Sequence, residues 1–182
     1  MKQARFLVLS FLFIVADQLS KWWVSEFLIR PAHEGAGAPI DLMHWYQYPP
    51  AMLEFASLPV MPFLNIVMIW NKGISFGLFS GNINYAPLLL VILSLAITLI
   101  FIVLLLRNPG TWQSIGIALV IGGALGNVID RLRFGAVIDF LDFYVGDYHW
   151  PAFNVADSCV CVGVAILIIF SLFFEGKKPV SA

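Results

Sequence analysis

Charge is what this chain has least of. Only 12% of its 182 residues are Asp, Glu, Lys or Arg, where a soluble domain carries about 25%. The formal net charge of −1 comes with no basic patch, which excludes nucleic acid as a partner. Histidine is nearly absent: His33, His44 and His149 form no His-Glu-x-x-His motif and no pair at ligand spacing, so metal-dependent hydrolysis has no ligand set. No metal and no cofactor are expected. The two cysteines, Cys159 and Cys161, sit two apart in an apolar run. At helical pitch their side chains point well apart, which excludes a mutual disulfide or a shared metal ion.

What the chain has in excess is apolar sequence, 60% of all residues. The expected class is a mainly α membrane protein with four transmembrane helices, forming one integral-membrane unit over residues 1–182. The spans are placed at about 6–29, 87–106, 112–129 and 155–174, with outer segments at about 30–86 and 132–152. The first run is too long for a signal peptide and lacks a small-x-small cleavage site, so it is read as a retained span. Four spans put both termini on one side. Lys2, Arg5, Arg107, Lys177 and Lys178 then fall together in the cytoplasm, leaving the long first outer segment outside. Trp22 and Trp23 suit an interfacial aromatic belt. The 63–70 stretch FLNIVMIW, bounded by Pro62 and Asn71, reads as a strand. Gly122 and Gly126 have the small-xxx-small spacing that lets helices approach closely.

Polar groups in such a chain are expensive and therefore informative. Gly73-Ile74-Ser75-Phe76-Gly77 matches the nucleophile elbow of serine hydrolases, but no His-acid pair accompanies it and so short a pattern matches by accident. Carboxylate chemistry remains. Asp17 and Lys21, four apart, share a helix face and form either a self-neutralising pair or a support for a site. Asn127, Asp130 and Arg131 share a face at the end of the third span, and Asp130 beside Arg131 reads as a structural ion pair. Asp142 and Asp147 read as surface charges in a solvated loop. Asp139 stands in the apolar, strand-like run Val137-Ile138-Asp139-Phe140 with no adjacent cation. Asn154 and Asp157 open the fourth span, where either is also a natural helix N-cap. Two uncompensated carboxylates converging at a membrane surface favour acid–base work, because close like charges cannot both ionise.

Five blocks carry a resemblance across nearly the whole chain: Asp17-Gln18-Leu19-Ser20-Lys21; Asn71-Lys72-Gly73-Ile74-Ser75-Phe76-Gly77; the run from Gly122 to Arg131; Val137-Ile138-Asp139-Phe140; and Phe153-Asn154-Val155-Ala156-Asp157-Ser158. In this order they resemble lipoprotein signal peptidase (signal peptidase II), a family of bacterial inner-membrane aspartyl proteases. The resemblance implies that Asp139 and Asp157 are the catalytic dyad and that Asn127, Arg131, Asn154, Asn71 and Asp17 line or brace the site, with Asp130 beside them. It implies a small β-cradle and a short mobile lid helix on the outer, periplasmic face, the lid matching the stretch from Ile74 to Gly81. It further implies diacylglyceryl-modified prolipoproteins as substrates, cut before the lipidated cysteine, with membrane lipid as the surrounding partner and a monomer as the working unit. The long stretch from Arg30 to Pro62 departs from the compact family pattern. Asp157, at a helix start that favours its charged form, is expected to be the base and Asp139 the protonated partner. The rival reading is a small proton- or ion-coupled carrier, which predicts acidic residues spread along a path through several spans. This sequence gathers them at one face and leaves the second span uncharged.

Overall fold

A computed structural model of the chain describes residues 3–73 and 85–174. The stretch from Ile74 to Gly81, with its expected lid helix and Ser75, lies outside the described residues, as do Lys177 and Lys178.

The apolar runs become four helices long and apolar enough to cross a membrane. Helix α1 covers Ala4–Trp23 and continues through a π-helical turn, Val24–Ile29, and a 3-10 turn, Arg30–Ala32. A short helix α2, Leu42–Gln47, follows, with Asp41 as N-cap accepting from the His44 amide. Strands β1 (Ser57–Met61) and β2 (Leu64–Asn71) precede α3 (Ala86–Leu106) and α4 (Thr111–Phe134). Strands β3 (Val137–Val145) and β4 (Tyr148–His149) then lead into α5 (Val155–Phe174). Two boundaries differ from expectation. The third spanning helix runs past Ile129 to Phe134, where Gly135 takes a positive φ of 70° and its amide bonds back to the Arg131 carbonyl. The Arg30–Pro62 stretch, given no helix or strand in sequence, contains α2 and all of β1.

Helix α4 is the hub, packing against α1, α3 and α5. Small residues make this possible. A Cβ on Gly126 would lie 2.7 Å from the Asp17 carboxylate of α1, and one on Gly123 only 2.3 Å from the Ala156 carbonyl of α5. The glycines therefore serve two different neighbours: Gly122 and Gly126 admit α1, while Gly123 admits α5. One apolar cluster, Phe6, Leu105, Ile117, Ala118 and Ile121, joins α1, α3 and α4.

The four strands form one antiparallel sheet in the order β1-β2-β3-β4. It lies at the end of the bundle where α1 and α4 finish and α5 begins. A second cluster, containing Val24, Ile29, Trp45, Ile66, Met68, Ile138 and Phe140, packs the sheet against the π-helical turn and α2. Trp45 is wholly buried there. The Arg133 guanidinium stacks 4.1 Å from its ring and donates to its backbone carbonyl. Trp22 donates to the Ile40 carbonyl at 2.9 Å and Trp70 to the Leu53 carbonyl at 2.8 Å. A buried Glu26–Arg30 pair also holds the inserted chain, Glu26 accepting from the Ile40 amide. The insert is thus pinned to the sheet and to the end of α1 by side-chain bonds to its backbone.

Candidate active site

The pairing of β2 with β3 contains a bulge. Ile66 faces Leu141, but Ile69 faces Asp139, so Val67 and Met68 together oppose Phe140. Side chains alternate between sheet faces, and one extra residue moves everything beyond it to the other face. In an unbulged register Asp139 would face Met68 and Asn71 would point away from it. The bulge puts Asn71 diagonal to Asp139 on the same face, where its Nδ2 donates to Asp139 Oδ2 at 2.9 Å. Gly73, at φ +75°, turns the chain so that its amide donates to Asn71 Oδ1 at 2.8 Å, which fixes the orientation of the Asn71 amide.

The other edge of β3 brings in the start of α5. Phe153 pairs with Leu141 in both directions, at 2.9 and 3.1 Å. This delivers Asn154 beside Asp139, with Asn154 Nδ2 donating to Asp139 Oδ1 at 2.7 Å. Asn154 and Asp157 also cap each other: the Asp157 amide donates to Asn154 Oδ1 at 2.9 Å and the Asn154 amide to Asp157 Oδ2 at 3.2 Å. The N-cap reading and the site reading both hold for these residues, because a reciprocal cap fixes both side chains. Asn127, from α4, completes the ring. Its Nδ2 donates to Asp157 Oδ1 at 2.8 Å, and its Oδ1 accepts from Asn154 Nδ2 at 3.2 Å.

Asp139 and Asp157, eighteen positions apart in the chain, therefore meet at one residue, Asn154, whose side-chain amide holds the Asp139 carboxylate and whose backbone amide holds that of Asp157. Their environments differ. Asp139 is 1% exposed and Asp157 is half-buried. Burial pushes the Asp139 carboxyl up from 3.8 to about 6; the Asp157 charge adds to the rise, and the hydrogen bonds from Asn71 and Asn154 oppose it. Beside Asp157 opens a cavity of about 280 Å³ between α3, α4 and α5. Ser94, Ile97, Val120, Ala124, Val160 and Cys161 give it largely apolar walls, and Asn127, Arg131 and Asp157 form its polar end.

A second layer lies behind Asn127. The Lys21 ammonium is wholly buried and contacts Asp17 Oδ2 and Asp130 Oδ2, each at 2.8 Å. Gln18 donates to Asp130 Oδ1 at 2.8 Å, and Asp130 Oδ2 accepts from the Ile138 amide at 3.1 Å. Asp17 Oδ1 accepts from the Ala156 amide at 2.9 Å, next to Asp157. These contacts correct one expectation and bear on an alternative that the sequence left open. Asp130 pairs with Lys21 and not with Arg131, because adjacent helical residues diverge and Asp130 turns into the bundle. Arg131 turns to the cavity, where Nη1 reaches its own helix at the Asn127 carbonyl, 3.5 Å away. The Asp17–Lys21 pair is not self-contained, since one ammonium serves two carboxylates.

The chain matches the family model described as signal peptidase (SPase) II over residues 9–173. It belongs to the signal peptidase II family. Among curated relatives, the lipoprotein signal peptidase of Coxiella burnetii (strain Dugway 5J108-111) is 35% identical over 173 residues, covering 94% of this chain and 91% of the relative. That of Anaplasma marginale (strain Florida) is 42% identical over 136 residues, covering 75% and 76%. A solved bacterial membrane enzyme superposes with a TM-score of 0.70 at 25% identity, covering 98% of this chain and 94% of its own. Membership makes the chain a peptidase of the bacterial membrane, and nothing in these relatives favours a carrier.

Within this family member the expected residues fall into two shells. Asn71, Asp139, Asn154, Asn127 and Asp157 form one continuous hydrogen-bonded network; Asp17 and Asp130 stand behind it, and Arg131 stands beside it. Asp142 departs from its expected place on a solvated loop. It lies in β3, 7% exposed, opposite Asn65, whose Nδ2 donates to it at 2.8 Å, with His149 Nδ1 at 2.9 Å. Against the cost of burial, these hydrogen bonds hold its carboxyl below the usual range. Three positions off Asp139 along the strand, it faces the other side of the sheet. Lys21 is the functional candidate that sequence reasoning undervalued, since a partner 109 positions away leaves no local signal.

Proposed function

We propose that the chain is an aspartyl endopeptidase that removes signal peptides from diacylglyceryl-modified prolipoproteins, cutting before the lipidated cysteine. The observation that carries this reading is the hydrogen-bonding of Asn154 to both Asp139 and Asp157, which holds two carboxylates at one site with unequal burial. In the proposed reaction the pair shares one proton and binds a water. Asp157 takes a proton from the water as it attacks the scissile carbonyl, and Asp139 protonates the carbonyl oxygen. The resulting tetrahedral diol collapses with proton transfer to the leaving amine, restoring the dyad without a covalent intermediate. The deeper burial of Asp139 favours it as the protonated partner and leaves Asp157 as the base. The cavity beside Asp157, about 280 Å³ with largely apolar walls, is assigned to part of a signal peptide or an acyl chain. Both termini are assigned to the cytoplasm and the site to the periplasmic face of the inner membrane. The stretch from Ile74 to Gly81 is assigned as the lid, and a monomer as the working unit.

Incubation of the purified protein in detergent with a diacylglyceryl-modified prolipoprotein should release a signal peptide ending just before the lipidated cysteine. Release of no peptide, or equal cleavage of the unlipidated precursor, would overturn the assignment. Persistence of cleavage in a strong chelator is expected as well, since acid–base work by carboxylates needs no metal.

A further inference from the structure

We infer that Lys21 is a positioning residue for the peptidase reaction, acting through the side-chain amide of Asn127. The inference rests on the dyad reading above and gives Lys21, the last residue of the block Asp17 to Lys21, a role of its own in that site. An ammonium has three N–H donors. Lys21 directs them at three acceptors: Asp17 Oδ2 at 2.8 Å, Asp130 Oδ2 at 2.8 Å and Asn127 Oδ1 at 3.2 Å. An amide has an oxygen end and a nitrogen end of nearly equal shape, so its neighbours decide which way it faces. Two donors, Lys21 Nζ and Asn154 Nδ2, meet Asn127 at its oxygen. That leaves Asn127 Nδ2 to donate to Asp157 Oδ1 at 2.8 Å. In the reverse orientation two donors would face an amino group and a carbonyl oxygen would face the Asp157 carboxylate, which is repulsive at every contact.

Asn154 alone is a weak guide, because its Nδ2 is already divided among Asp139 Oδ1, the Ile138 carbonyl and Asn127. Lys21 has one N–H for each of its three acceptors, and it is held from both sides by Asp17 and Asp130. The two carboxylates that hold it are themselves tied to the site's backbone, Asp17 through the Ala156 amide and Asp130 through the Ile138 amide. One buried cation thereby locks the end of α1, the face of α4, the start of β3 and the start of α5 into a single arrangement. Neutralising the carboxylates of α1 and α4 explains part of the cluster. It does not explain why two carboxylates are spent on one ammonium whose third proton is aimed at the amide that holds Asp157.

Because Lys21 is 0% exposed it cannot touch substrate, so its loss should lower kcat and leave KM unchanged. The test is a double-mutant cycle with Asn127, using purified protein and a diacylglyceryl-modified prolipoprotein. Asp17→Asn/Lys21→Met keeps the net charge of the cluster while removing the donor to Asn127. It should lower kcat about ten- to a hundredfold, the range for a hydrogen bond to a charged group, with KM within about twofold. Asn127→Ala should lose a similar factor, and the two combined should be no slower than Asn127→Ala alone. Asp17→Asn/Lys21→Gln, which restores an N–H donor, should recover part of the loss. Losses that multiply, or a KM effect in place of a kcat effect, would reduce Lys21 to a structural ion. Should the Lys21 variants not fold, Asn127→Asp with Lys21 intact still decides. It keeps the acceptor for Lys21 but lacks the donor to Asp157, so wild-type kcat in this variant overturns the inference. Asp139→Asn and Asp157→Asn are assayed in parallel. Normal cleavage by either removes the dyad itself, whereas inactive dyad variants with independent Lys21 and Asn127 losses remove only the role of Lys21.

Discussion

At the scale of single residues, the site depends on side-chain amides more than on charges. Three asparagines hold two aspartates, and each amide is oriented by a second partner: Gly73 for Asn71, the Asp157 amide for Asn154, Lys21 for Asn127. A carboxylate that accepts from two amide donors, as Asp139 does, cannot be copied by Asn without turning an amino group toward one of them. Asp139→Asn and Asp157→Asn should each cut cleavage by about a hundred- to ten-thousandfold, the usual share of general acid–base catalysis. This is read as uncut lipid-modified prolipoprotein accumulating in cells that carry only the variant. Asp142→Asn should leave cleavage within a few-fold, because that side chain faces the other side of the sheet, while costing about 1 kcal/mol of stability through its bonds to Asn65 and His149.

The Asp139 carboxyl also predicts a pH dependence. Its rise from 3.8 to about 6 means that the folded protein holds this proton where the unfolded chain has released it. Stability from this group is fully present below about pH 4 and is lost as the pH rises through about 6, a change of about 3 kcal/mol. In detergent, the unfolding temperature of Asp139→Asn relative to the wild type should therefore climb between pH 4 and pH 7 and level off above. A difference that stays flat or falls over that window would contradict the burial of the carboxyl.

At the scale of elements, the β2 bulge is the feature with the clearest consequence. Asn65 stands directly opposite Asp142 on one side of it, and Asn71 stands diagonal to Asp139 on the other. A regular strand has only one register, and it satisfies one of these Asn–Asp pairs at the expense of the other. Deleting Met68 should consequently cost either cleavage, by about tenfold or more, or stability, by roughly 1–3 kcal/mol. Both are read on the same purified protein by peptide release and thermal unfolding. Full retention of both would show that the bulge does not serve to aim Asn71.

The elements were unequally legible in the sequence. Helix α3 is an uninterrupted apolar run, α5 is one beyond its first turn, and β2 is bounded by breakers, so each was visible from composition and length. The end of α4 was not, because Asp130, Arg131 and Arg133 look like the edge of a membrane span. In the structure Asp130 turns inward to Lys21 and Arg133 stacks on Trp45, Tyr46 and Phe134, so the helix carries its charges onward to Gly135. The π-helical turn and the anchored insert left no periodic pattern to read.

At the scale of the whole molecule, the polar groups gather at the sheet end of the bundle while α3 carries no charge from Ala86 to Leu106. A carrier would need such groups along its length; a surface peptidase needs them at one end. The short basic turn between α3 and α4, built on Arg107 and on Asn108 at φ 59°, lies at the opposite end. Reporter fusions at Gly110 and Lys178 should report the cytoplasm and a fusion at Gly37 the outer side. A Gly110 fusion that reports the outside would invert the bundle and move the proposed site to the wrong face for exported lipoproteins.

The sequence by itself determined the class and the four spans, because hydrophobic length is a local property, and it marked Asp139 as out of place because a carboxylate in an apolar run is costly. It also determined the close approach at Gly122 and Gly126, which follows from residue size at a fixed helical spacing. Only the tertiary structure decided that Asp130 belongs to Lys21, that Asp142 is buried, and that Asn71 faces Asp139. Each of those outcomes depends on a partner from another element or on a one-residue shift in strand register. A hydrogen bond is set within tenths of an ångström by the packing of whole elements, and no short stretch of sequence contains that information.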